Sequence, residues 1–112
     1  LSAIGKDLLL ARRLGEYEVE VPGVGTVIVR ALSRVEALEL KGQEIELLEW
    51  ERKVLAVAMV NPALTEDEVR QWQEVSPAGE LEPVTSAVLD ISGLNGEAAQ
   101  EAYAQFRDAQ RS

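Results

Sequence analysis

The stretch Gln43–Val60, QEIELLEWERKVLAVAMV, constrains this chain more than any other. It opens with apolar residues at helical spacing, with charges between them, and closes with an unbroken apolar run, Val54–Val60. The first half reads as a helix with one wet face and the second as a helix buried on nearly all sides. A fully buried apolar side chain gains roughly 1.5–3 kcal/mol, whereas ordering each residue costs about 1–2 kcal/mol, so a half-apolar helix is marginal alone. Val54–Val60 therefore needs other segments to cover it, and Leu55, Val57 and Met59 should face away from water.

At 112 residues the chain is long enough for one domain with one core. No apolar run approaches the ~20 residues that span a bilayer. The opening LSAIGKDLLLARRLG places its basic pair, Arg12 and Arg13, after the apolar run, the reverse of a secretory signal. It begins with Leu, as a trimmed chain or a literally read non-standard start codon would. There is no Cys and no His, which removes disulfides, thiolate and imidazole metal sites, Ser-His-Asp triads and Cys nucleophiles together, and fits a reducing compartment.

The net charge of −9 is unevenly spread. Residues 1–35 carry five basic and four acidic side chains, residues 36–112 six basic and sixteen acidic. Direct phosphate or nucleic-acid binding by the acidic part is disfavoured. Such a charge suits a solvated surface or a basic partner.

Local signals divide the chain into an N-terminal helical arm over 1–15, one α+β domain over 16–108 and a frayed tail over 109–112. In the arm, residues 3–14 form a short amphipathic helix with Ile4, Leu8 and Leu9 on one side and Gly15 as its end. EYEVEV alternates strictly, with Tyr17, Val19 and Val21 on one face, and TVIVRAL returns after the turn Pro22–Gly25. An odd loop places Val19 opposite Val27 or Val29 and keeps the glutamates off the valine face; an even loop does not. An odd loop is therefore expected. Gly23 and Gly25 are not a phosphate loop, since no third glycine and no helix start follow.

Ser33-Arg34-Val35-Glu36 is a capping box opening a helix in which Val35, Leu38 and Ile45 continue one face, with Gly42 as a kink or stop. Glu49 can reach Arg52 and Lys53 along the central helix, and Asn61-Pro62 ends it. Thr65-Glu66-Asp67-Glu68 is a second box, opening a helix with Val69, Trp72 and Val75 inward. Ser76-Pro77 caps a short turn of helix, followed by a helix from about 83 to 92 with Val84, Val88 and Ile91 inward and Gly93 as its stop. Asn95 caps a last helix carrying Ala99, Ala102, Tyr103 and Phe106 on one face.

Candidate chemistry is sparse. The cluster Glu44, Glu46, Glu49 and Glu51 has no apolar pocket to raise a pKa, and reads as a solvated helix face. Asp90, Ser92 and Glu101 fit three positions of a calcium loop, but Leu94 and Asn95 break the pattern. No catalytic, metal or cofactor residues are assigned, and no cofactor is expected. Trp50 and Trp72 suit core packing or part of a protein-binding surface. Trp50, Trp72, Tyr17 and Val24 are the candidate partner-binding residues.

Four segments carry a family resemblance: EVEVPGVGTVIVRAL running into LSRVEALEL; ERKVLAVAMVNPALTEDEVRQW; SPAGELEPVTSAVLDISGL; and EAAQEAYAQFR. In this order, over residues 16 to about 108, the chain resembles the tail assembly chaperones of long, non-contractile-tailed bacteriophages. The resemblance implies a non-enzymatic protein of the host cytoplasm, absent from the finished virion. Its partners would be the tape measure protein, which it keeps soluble, and the tail tube protein, recruited through a frameshift-extended form. Homo-oligomers are a further option; nucleic acid and membrane are not expected partners. The family offers no defined site residues to carry over. The rival readings are a head–tail connector, incorporated into particles, and an acidic DNA mimic, suggested by charge alone. The fold expected is a β-hairpin packed beside four or five helices.

Overall fold

In a computed structural model that describes residues 3–94, the chain is α+β, as expected: a three-stranded antiparallel sheet and five helices. The elements are α1 (Lys6–Leu10), β1 (Glu16–Val21), β2 (Gly25–Arg30), α2 (Arg34–Lys41), α3 (Leu47–Ala58), β3 (Met59–Asn61), α4 (Glu66–Val75) and α5 (Glu82–Ile91). The expected helix opened by Asn95, with Ala99, Ala102, Tyr103 and Phe106, lies outside the described residues.

The hairpin has the odd loop that its alternation demands. Val19 faces Val27 and Glu18 faces Ile28, with three residues between the strands. Gly23 sits in this turn and Gly25 opens β2, so a strand and not a helix follows. Val21 and Val29 are buried, whereas Tyr17, at the far end of the same face, is exposed. Gly15 does not end a helix, because α1 stops at Leu10. It lies under the Tyr17 ring, where a Cβ would meet Cε2 at 2.9 Å.

The central stretch departs most from expectation. Its helix covers Leu47–Ala58 only, and Met59–Asn61 becomes a strand pairing antiparallel with β2. Val29 pairs with Met59 and Ile28 with Asn61, across a bulge. A continuous apolar run does not distinguish buried helix from buried strand. Here the free edge of β2 decides, since its backbone groups need partners. The Asn61–Pro62 bond is cis, three residues beyond the helix end. Leu55 and Met59 are buried and Val57 is half-buried, as the apolar run requires.

One core joins these elements: Val21 and Val29 from the sheet, Leu40, Val54, Leu55 and Ala58 from α2 and α3, Met59, Val69, and Leu81, Val84 and Val88 from the α5 region. Helix α5 packs on β1, β2 and α3, and α4 packs on α3. Ile91 packs against the core, and Gly93, at φ 78°, stops α5 while the Leu94 N–H returns to the Leu89 carbonyl.

Both capping boxes form as read, at Ser33/Glu36 and Thr65/Glu68. Two apolar stripes are buried only in part or not at all. On α2, Val35 and Leu38 are exposed and Leu40 is buried. Glu36 is drawn back over β2 by Arg30, which sets the helix rotation, and Leu40 lies one turn further along that face. On α4, Val69 is buried but Val75 is 82% exposed. Steps of three residues drift by about 60° each on a helix of 3.6 residues per turn, so Val75 has rotated off the face and Gln73 has rotated onto it. Ser76 does not open a helix; its hydroxyl donates to the Trp72 carbonyl at 2.6 Å, and residues 77–80 form a turn.

Candidate functional site

The site is a groove between α2, α3 and the end of α5, about 430 Å³ in volume. Leu32, Ala37, Leu38, Leu40, Trp50, Val54, Leu89 and Leu94 make its apolar lining. Among the described residues, the charged ones that line it are both basic, Arg34 and Lys41. In a chain of net charge −9, that is a local inversion of sign.

The groove exists because three polar ties hold its walls. Leu32 donates its N–H to Ser92 Oγ at 2.8 Å, and the same hydroxyl donates to the Val88 carbonyl at 2.6 Å. This hydroxyl fastens the exit of β2 to the end of α5 across 60 residues of sequence. The second tie is Arg30 to Glu36, a fork with contacts of 2.9 and 2.7 Å. Hydrogen bonding to Arg30, opposed by partial burial and helped by the Ser33 N–H, holds the Glu36 carboxyl down at about 2. The Arg30 guanidinium is raised in turn, first by that same hydrogen bond.

The third tie orients α3, and with it Trp50. Arg52 and Lys53 do not pair with Glu49 along the helix. Arg52 Nε donates to Gln73 Oε1 at 2.8 Å, and Lys53 pairs with Glu66 at 3.3 Å. Gln73 also donates to the Leu48 carbonyl and to Glu51. These bonds run between α3 and α4, because Gln73 faces α3 once α4 is seated on Val69.

The structure places the four candidate partner-binding residues apart. Trp50 lines the groove and also packs on the core. Trp72 packs on the core and donates Nε1–H to Glu80 at 2.8 Å; it is not part of the groove. Tyr17 and Val24 are exposed on the hairpin, Val24 at its tip. The leucines of the groove, Leu38 and Leu89 above all, went unselected in the sequence. The half-exposed place of Leu38 on a groove wall follows only from the rotation of α2.

The acidic cluster is spread over solvent. Glu44, Glu46 and Glu49 are exposed, and Glu51 accepts from Gln73. Asp90 and Ser92 close α5, Ser92 is engaged with Leu32 and Val88, and Glu101 lies outside the described residues. Among the described residues, no group of three or more His, Cys, Asp or Glu is placed to hold a metal ion, and no helix is long and apolar enough to cross a membrane.

No protein-family model matches this chain, and neither the curated proteins nor the solved structures compared with it contain a match.

Proposed function

We propose that this protein is a tail assembly chaperone of a long, non-contractile-tailed bacteriophage, which binds an amphipathic helix of the tape measure protein and keeps it soluble. The groove between α2, α3 and α5 carries the reading. An apolar trough with a half-buried Trp and basic residues on its rim suits a helix that presents an apolar stripe flanked by acidic side chains. The ordered segments that resemble this family supply the identity of the partner. The acidic exterior suits the masking role, because a complex with an aggregation-prone helix stays soluble when its outer surface repels its neighbours. Delivery of tail tube subunits through a frameshift-extended form, and absence from the virion, belong to the same proposal.

Co-expression with the long tape measure protein tests it. The soluble fraction of that protein should rise with this chain present, and fall back with Leu38→Asp. Leu38 lies on the groove wall and is already 46% exposed, so its replacement spares the core. No gain in solubility with the unmodified chain rejects the proposal. Mass spectrometry of purified virions that finds this chain as a stoichiometric component favours a head–tail connector instead.

A further inference from the structure

Among the described residues, two clusters of exposed leucines lie outside the groove, and they are opposite in charge. The first is the N-terminal arm. Ile4, Leu8, Leu9 and Leu10 are 56–74% exposed, and α1 buries none of its residues. Residues 3–14 hold three basic side chains, Lys6, Arg12 and Arg13, against one acidic, Asp7. The root of the arm is held: Ala11–Leu14 line a shallow depression with Leu32, Ser33 and Arg34, and the Ala31 N–H donates to the Gly15 carbonyl at 3.0 Å. The part beyond the root projects.

The second patch is the start of α3, where Leu47 and Leu48 are 62 and 56% exposed. Glu44, Glu46 and Glu49 surround them and are exposed, and residues 43–51 hold no basic side chain. A helix of five residues is too short to persist by its own hydrogen bonds, so the arm gains order only by docking its leucines. Among the described residues nothing covers them.

We propose that the arm of one copy docks on the α3 start of a second copy, with Leu8 and Leu9 against Leu47 and Leu48 and with Lys6, Arg12 and Arg13 facing Glu44, Glu46 and Glu49. The two halves of the contact lie on different surfaces of one chain, so the association is head-to-tail and builds rings or open chains rather than closed pairs. The arm is small against a standard interface, so the contact is weak and depends on concentration. Its charge component makes it weaken with salt. The inference is independent of the chaperone reading, since Leu47 and Leu48 are not part of the groove.

Weight-average mass by analytical ultracentrifugation, over about 10 µM to about 1 mM of the full chain, is the test, in the range where weak interfaces assemble. The unmodified protein should exceed monomer mass at the upper end, and less so at high salt. Leu8→Asp with Leu9→Asp, or Leu47→Asp with Leu48→Asp, should each weaken association at least about tenfold, as a charge left in an apolar contact does. All four positions are exposed, so both variants should keep the circular dichroism spectrum of the dilute parent. A 1:1 mixture of the two variants retains one intact contact, and should form dimers and nothing larger. Charge reversal gives a second test: Arg12→Glu with Arg13→Glu should dissociate the assembly, and Glu44→Lys with Glu46→Lys in the partner should restore it. A monomer at every concentration, association unchanged in either leucine variant, or a mixture that stays monomeric would each overturn the proposal. Dye binding that rises only in the arm variant of a strictly monomeric protein would assign the arm to its own chain, and overturn it too.

Discussion

Two apolar segments of the chain have opposite fates. Val54–Val60 supplies Val54, Leu55, Ala58 and Met59 to the core, and every one of them is buried. Ile4 and Leu8–Leu10 are as greasy and are all more than half exposed. Composition does not separate them. The central segment is bracketed by elements that arrive from both directions, with β2 along its strand end and α4 and α5 across its helix. The root of the arm lies beside Leu32, Ser33 and Arg34, and α1 buries none of its residues among those described. Apolar side chains are buried where the topology brings several elements to them.

Four substitutions or conditions test this contrast, in decreasing order of effect. Leu55→Ala removes a fully buried side chain and should cost about 2–5 kcal/mol by urea denaturation. A loss below about 1 kcal/mol would mean that the central segment is no better covered than the arm. Acid should act next, through the Arg30–Glu36 tie between the hairpin and α2. The Glu36 carboxyl sits at about 2 in the folded chain against 4.5 as a free group, so the unfolded chain binds the extra proton between those values. Its contribution, on the order of 2 kcal/mol once partial exposure is allowed for, is complete above about pH 4.5 and disappears as pH falls to about 2. Glu36→Gln should flatten that limb of the stability–pH curve.

Thr65→Ala removes the hydroxyl that accepts the Glu68 N–H and opens α4, and should cost about 1 kcal/mol. Thermal unfolding of the two proteins side by side measures it. Leu9→Ala, at dilute concentration where copies do not meet, should change stability by less than about 0.5 kcal/mol. A larger loss would show that the arm is seated on its own chain, and would erase the contrast.

Much of this was legible in residue order because the signals are local. Capping boxes, the hairpin register, the Gly93 stop and the α5 stripe each depend on a few adjacent residues, and those residues behave alike in any surroundings. The groove was not legible in that way. Trp50 stood out by its size, but Leu38 and Leu89 join it only after α2 has rotated about the Arg30–Glu36 tie and Ser92 has caught Leu32 from 60 residues away. A serine near a helix end carries no mark of a distant partner.

The sequence by itself determined the α+β class, the odd hairpin loop, where three of the helices, α2, α4 and α5, begin or end, and the absence of any Cys or His chemistry. Tertiary structure decided that Met59–Asn61 leaves the helix to complete the sheet, that Leu40 rather than Val35 enters the core, and that Gln73 rather than Val75 meets α3. The reason is the same in each case. Backbone groups on a free strand edge and polar side chains under partial burial require partners, and those partners are distant in sequence. Their demands override a local preference that separates the alternatives by less than the energy of one hydrogen bond.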